Sequence, residues 1–390
     1  MISLERYRAL LAVRGIAPLF LASILGRLPI GMSGIAILLL VQADTGSFAA
    51  GGTATGCYVG GLACVAPLLG RIIDRNGPRL TLLVCAALFP ASMAALVTAV
   101  GAGSAMPLVL VCAMAAGATF PPVTVCMRTY LRQRIAGDAA LSTAYSADSI
   151  LIEVMFIVGP MLVAFLIAYS APSTAVWFAA ASGFLGALLF LGALSEWKIE
   201  PRRESTLLGP LAQREFVLLI AIVLCYAMAF GLTELAVAAA ATEANRPALA
   251  GVFLGLMSAG SAFGGLAYGS RSWRGPLIRQ FSSTLAIMGA GLLVLAGPWS
   301  VVTFGLLCIV AGVVMAPALI IQSMLVAKTA KPEHVTEAFT WSTSGLLAGI
   351  GFGMAAGGAL VEGGRSPAAL CAAGVAALIA AAAARLMARR

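Results

Sequence analysis

Four charged residues stand inside long apolar runs of this chain: Arg27, Asp148, Glu153 and Glu234. An arginine and a carboxylate at matching depth can form an ion pair, and a carboxyl kept from water can carry a proton. Burial favours the protonated form of a carboxyl and a neighbouring arginine favours the ionised form, so a motion that parts the two binds or releases a proton. Helical spacing sorts the candidates. Ser142, Ser146, Ser149 and Glu153 fall at i, i+4, i+7 and i+11 and form one polar stripe that Pro160 continues, whereas Tyr145 and Asp148 share a different face. Ser23, Arg27 and Gly34 align in the same way on their own segment.

The elements that must carry these residues are long and apolar. Of 390 residues, 61% are hydrophobic and only 10% charged, where a soluble domain has about 25% charged, and the mean hydropathy is +1.02. Twelve runs long enough to cross a bilayer as helices are expected over roughly 16–41, 50–71, 79–100, 106–130, 142–168, 173–194, 216–241, 248–269, 282–298, 301–326, 337–361 and 367–386, numbered here as spans 1 to 12. Within them a charge near the bilayer centre costs on the order of 3 kcal/mol and usually faces the protein interior with a partner. Little chain is left for a soluble domain.

The net charge of +9 is topological rather than a nucleic-acid footprint. If the N-terminus is cytoplasmic, the termini and the loops on its side hold 21 of the 24 Lys and Arg residues. This bias predicts both termini in the cytoplasm. The eight cysteines all fall in expected spans without a paired pattern, the lone His334 lies in a loop, and there is no GxxxxGK[ST] phosphate loop. A disulfide framework, a metal site, a cofactor, coupling to ATP and an enzymatic constellation are all unsupported. The first apolar run is too long for a cleaved signal peptide and carries Arg27 at its middle.

The chain also repeats itself. A shift of about 195 residues lays Gly56, Tyr58, Gly60 and Gly70 on Gly251, Phe253, Gly255 and Gly265, and Gly117 and Pro122 on Gly312 and Pro317. A shift of 194 lays Ala144, Tyr145 and Gly159 on Ala338, Phe339 and Gly353. Two six-helix halves in the same orientation are expected, 1–194 and 216–390, joined by a linker over 195–215. This is the plan of a secondary transporter with its site between the halves. The loop between spans 2 and 3, with Gly70, Asp74, Arg75, Gly77 and Arg79, resembles the signature of the major facilitator superfamily, Gly-x-x-x-Asp-Arg-x-Gly-Arg-Arg/Lys, with proline where a basic residue is usual after the second glycine. The second half has lost it, with Gly269 where Asp74 would fall.

The resemblance implies an all-α membrane protein of twelve transmembrane helices in two pseudo-symmetric six-helix bundles. It implies that the loop is a latch made in one conformation and broken in another; the alternative is a solvated basic loop serving topology alone. Spans 1 and 5 are neighbours in such folds, which predicts an Arg27–Glu153 ion pair, either rearranging with Glu153 as proton carrier or permanent and structural. Asp148 and Glu234 are the further acidic candidates, and Glu234, near an outer end, can also be read as solvated. In span 5, Gly159-Pro160 matches part of the Gly-x-x-x-Gly-Pro-x-x-Gly-Gly pattern of facilitator antiporters, with Met155, Val163 and Ala164 in place of its other glycines. Pro160 predicts a hinge there.

Gly345, Gly349, Gly353 and Gly357 of span 11 and the paired glycines of span 8 suit close packing, or a sliding surface. Pro121-Pro122 and Pro317 predict breaks in spans 4 and 10. Tyr145, Phe230, Gln322 and Trp341 are cavity candidates. The expected function is secondary active transport by alternating access, with proton-driven export of small amphipathic molecules. The alternative is transport of small organic anions held by Arg27, and a third possibility is a sensor built on the same fold. The expected partners are the lipid bilayer, protons and a small-molecule substrate, without nucleic acid, for a monomer in a bacterial inner membrane.

Overall fold

The computed structural model describes residues 8, 10, 12–13, 15–135, 138–194, 210–269, 273–331 and 335–388; within these, the side chains of 74–75, 132, 138–142, 145–146, 149, 153, 335–337 and 363–364 lie outside the described set. Twelve helices are long and apolar enough to cross a membrane: Ile16–Thr45, Phe48–Ile73, Pro78–Gly101, Met106–Leu131, Ile150–Tyr169, Pro172–Ala193, Arg214–Glu243, Leu249–Gly269, Leu277–Leu295, Val301–Thr329, Ala338–Glu362 and Arg365–Met387. Each expected span has its helix, and no strand occurs among the described residues. Span 9 starts at Leu277 rather than 282 and takes in Arg279 and Gln280. Hydropathy marks only the apolar stretch, while backbone hydrogen bonding runs on through residues whose charged heads reach water.

Local sequence sets the joints. Gly77 takes φ 80, a region open to glycine, and ends the second helix by donating its N–H to the Ile73 carbonyl at 2.9 Å; Pro78 then opens the third. Span 4 breaks at Thr119–Pro122 into Met106–Ala118 and Val123–Arg134, as its two prolines predict. Span 10 breaks into Val301–Gly312 and Met315–Thr329, with Pro317 inside the first turn of the second piece. Span 5 runs through Pro160 within one helix, Asp138–Tyr169.

Helices within each half approach through glycine. A Cβ on Gly117 would overlap the Tyr58 carbonyl, and one on Gly312 the Met257 carbonyl. These equivalent positions join span 2 to span 4 and span 8 to span 10. Gly345, Gly349, Gly353 and Gly357 lie against Ile220, Leu224, Met228 and Leu232 of span 7. The span 11 stripe therefore packs inside its own half and is no sliding surface.

A different set of glycines closes the two halves on each other. Gly52 and Gly56 of span 2 face the carbonyls of Met354 and Gly351, and Gly358 of span 11 faces Phe48 and Ala49. Gly251 and Gly255 of span 8 face Pro160, Ile157 and Met161 of span 5. All these contacts sit on the side away from the start of span 1 and the end of span 12. Ser47 Oγ and the Ala49 N–H both donate to Glu362 Oε1 there, the latter at 3.2 Å, tying the start of span 2 to the end of span 11.

On the face where span 1 begins and span 12 ends, which carries most of the described Lys and Arg residues and is termed the basic face, the seams part. A Cβ on Gly60 or Gly70 of span 2 would meet nothing within 4 Å. The pieces Val123–Arg134 and Met315–Thr329 pack closely only on helices of their own halves. Gly117→Val or Gly312→Val should thus cost at least about 3 kcal/mol of stability, because backbone cannot yield to the added atoms. Gly60→Ala should be neutral or gain up to about 1 kcal/mol; unfolding of the purified variants in detergent measures both.

Candidate functional site

Arg27 is held by the helix that carries it. On one side Gly26 presses against Gly186 of span 6, and on the other Gly31 presses against Met155 and Gly159 of span 5. Glycine on both sides lets span 1 sit at backbone contact with two neighbours and fixes where the arginine emerges. The residue is fully buried, and its Nη1 donates to Asp148 Oδ1 at 2.5 Å, with that carboxylate fully buried too. Arg128, from the basic-face piece of span 4, donates its Nε to Asp148 Oδ2 at 3.0 Å, while its side chain stays 52% exposed. One carboxylate thus bridges two guanidiniums. Nε and Nη2 of Arg27 have no acceptor among the described residues.

The partner of Arg27 is Asp148, which corrects the expected pairing with Glu153, whose side chain lies outside the described residues. The physical reason is the face that span 5 turns to span 1. Asp148, Met155 and Gly159 are spaced i, i+7, i+11, and the small Gly31–Gly159 contact selects that face. The serine stripe gave a polarity signal but no packing signal. Ser23 donates to the Phe20 carbonyl of its own helix at 2.8 Å and plays no part in the cluster. Arg128 falls inside the expected span 106–130 and is one of the 21 basic residues of the positive-inside bias, which hides its role in the cluster.

Glu234 comes from the other half. Its half-buried carboxylate reaches span 1, with Oε1 3.2 Å from where a Cβ on Gly34 would stand. Gly34 lies seven residues beyond Arg27 on the same stripe, a rise of about 10 Å towards the closed side. No hydrogen bond or ion pair holds this carboxyl among the described residues.

The second half has a polar cluster of its own. Tyr226 donates its hydroxyl to Gln322 Oε1, and Gln322 Nε2 donates to Ser342 Oγ at 2.7 Å, all three buried. Gln322, expected in the cavity, is thus engaged at both ends of its amide. Phe230 stacks edge-on against Tyr226 with centroids 5.5 Å apart, and Phe230 and Trp341 pack on the same core. Tyr145, Asp74 and Arg75 have side chains outside the described residues. Gly70 and Gly77 frame the loop between spans 2 and 3, and Arg79 is exposed in the first turn of span 3.

A family model described as Major Facilitator Superfamily matches residues 19–334. The chain belongs to the major facilitator superfamily. It is a membrane transporter of that superfamily, integral to the membrane. Among curated proteins none matches the sequence. Solved structures of superfamily-type transporters share the fold at low identity. The human organic anion transporter MFSD10 (TETRAN) is 18% identical, with a TM-score of 0.67 over 94% of this chain and 98% of that one. The nucleoside transporter NupG is 14% identical, with a TM-score of 0.73 over 97% of this chain and 100% of that one.

A bacterial homologue of the iron transporter ferroportin aligns in two states. The inward-facing state gives a TM-score of 0.74 at 15% identity, over 97% of this chain and 100% of that one. The outward-facing state, soaked with iron, gives 0.65 at 14% identity, over 96% of this chain and 99% of that one.

Removing one partner of a buried pair leaves the other charge uncompensated. Asp148→Asn should therefore cost about 3–5 kcal/mol, and joint replacement of Arg27 by Met and Asp148 by Leu should restore most of it. A double-mutant cycle on thermal unfolding reads this, and Glu153→Gln should show no such coupling to Arg27.

Proposed function

We propose that this transporter exports small amphipathic molecules in exchange for protons by alternating access, with both termini in the cytoplasm of a bacterial-type inner membrane. In this reading the conformation described above is the inward-facing one. Supporting it are the seams closed away from the basic face, the positive-inside bias and the better overlay on the inward-facing ferroportin homologue. The observation that carries the coupling is the Glu234 carboxyl, which has no partner among the described residues and reaches from one half onto Gly34 of the other.

An unpaired carboxylate pressed between the halves loses its water when the outer side closes, a cost that binding a proton removes. Closure is then permitted when Glu234 has taken a proton from outside. Opening on the basic face lets the proton leave, and the substrate travels the other way. Asp148, held by Arg27 and Arg128, keeps spans 1, 4 and 5 in register around that pathway.

A second reading rests on a separate observation. The two unsatisfied donors of Arg27 suit a carboxylate ligand held bidentately. The substrate would then be a small organic anion.

A screen of purified protein in weakly buffered detergent separates the two readings. Cationic, neutral and anionic amphiphiles are tested for thermal stabilisation and for proton release on binding. Stabilisation by cationic or neutral compounds with proton release, the release absent in Glu234→Gln, is the expected result. Stabilisation without release would sink the proton coupling. Stabilisation confined to anions and lost in Arg27→Lys would replace the first reading by the second.

A further inference from the structure

The loop between spans 8 and 9 occupies the place in the second half that the signature loop occupies in the first, and it has lost every acid. Between Glu243 and Glu333 the chain contains no Asp or Glu, yet on the basic face it carries Arg274, Arg279, Lys328 and Lys331. A cavity of about 640 Å³ opens here between spans 8 and 9, floored by the break in span 10 at Val313 and Val314.

Its rim is built rather than loose. Tyr268 and Trp273 stack with centroids 5.4 Å apart and planes at 14°, and Trp273 donates its indole N–H to the Tyr268 carbonyl at 3.0 Å. The Tyr268 hydroxyl donates to Gln280 Oε1 at 2.5 Å, and Gln280 Nε2 returns to the Gly275 carbonyl at 3.0 Å. These bonds engage the polar groups of Tyr268, Trp273 and Gln280 with one another and with backbone. Arg274 and Arg279, which also line the cavity, are exposed and make no ion pair among the described residues. Below them the wall turns apolar through Ile287, 60% exposed on span 9.

We propose that this cavity is a binding site for an anionic phospholipid of the basic-face leaflet. The phosphate headgroup sits between Arg274 and Arg279, and an acyl chain runs down past Ile287 onto the floor at Val313 and Val314. Two unpaired guanidiniums match a phosphate diester, which accepts forked hydrogen bonds. A basic pocket between helices at the leaflet surface, with an aromatic pair at headgroup depth, suits a lipid better than a wholly soluble anion. The apolar wall has no use for inorganic phosphate. The site is separate from Arg27, Asp148 and Glu234, so it stands whichever transport reading holds.

The test uses the full chain in neutral detergent, with thermal unfolding and native mass spectrometry as readouts. Added phosphatidylglycerol should stabilise the protein and remain bound, phosphatidylcholine should do so much less, and inorganic phosphate should not. Arg274→Gln and Arg279→Gln should each weaken phosphatidylglycerol binding about fivefold, and the pair about thirtyfold. Arg246→Gln, on the opposite face, should leave it unchanged.

A photoactivatable phosphatidylglycerol provides a second readout, independent of variant folding, and should label residues 264–287 and 313–317. Equal binding of phosphatidylcholine would overturn the headgroup assignment. An equal effect of inorganic phosphate would make the site one for a soluble anion. Unchanged lipid binding in the double variant, or labelling elsewhere, would overturn the location.

Discussion

Backbone contact through glycine is the constraint on which the arrangement depends. In lipid, helices gain little from burying apolar surface against one another, so close van der Waals approach and polar contacts decide which faces meet. Gly26 against Gly186 and Gly31 against Gly159 hold span 1 between spans 6 and 5 at distances where a Cβ cannot fit. Arg27, between those two glycines, has no freedom to choose its partner. It meets Asp148 because the glycine contact has already fixed the rotation of span 5.

The pseudo-symmetry of the halves makes the charge at this place more informative. Under the 194-residue shift that relates spans 5 and 11, Asp148 falls on Ser342. Both residues lie in a polar cluster joining the first, fourth and fifth helices of their half. In the second half the cluster is Tyr226, Gln322 and Ser342, neutral and closed on itself. In the first it is Arg27, Asp148 and Arg128, charged and with donors left over. A neutral network satisfies the packing role that both positions share. Burying two arginines and an aspartate costs desolvation that the pair interactions only partly offset, so structure alone gives the first half no reason to differ.

Most of the fold was legible in the sequence because membrane helices announce themselves by length and apolarity. The broken spans 4 and 10 followed from prolines, and the two halves from glycine matches at a constant shift. The site was legible in its residue types but not in its pairing. Arg27 and Asp148 stood out as charges in apolar runs, yet a stripe of serines pointed to Glu153. A polar stripe says which face of a helix is polar; it does not say which neighbour that face meets. The Gly31–Gly159 contact carries that information, and it needs the relative heights of two helices. Ser47–Glu362 was hidden for the same reason, since it joins residues 315 apart at two helix ends.

The glycines also divide by duty, and the division bears on how the molecule can move. Those between helices of one half, such as Gly117 on span 2 or Gly353 on span 7, lock backbones that must travel together. Those between halves, Gly52, Gly56, Gly251 and Gly255, also make close contacts, but only on the side away from the basic face. Contacts of this kind are all-or-none, because a small separation forfeits much of the dispersion energy. A seam made of them therefore favours discrete closed and open states over gradual widening. Glu362 on the N-terminus of span 2 adds a polar clasp at the end of one seam, where water can replace its hydrogen bonds when the seam opens. Glu234 lies inward of that clasp, against Gly34, at the seam between the halves. A carboxyl placed there needs no direct contact with substrate to influence transport, since an unpaired charge costs more where water is excluded than where it is admitted.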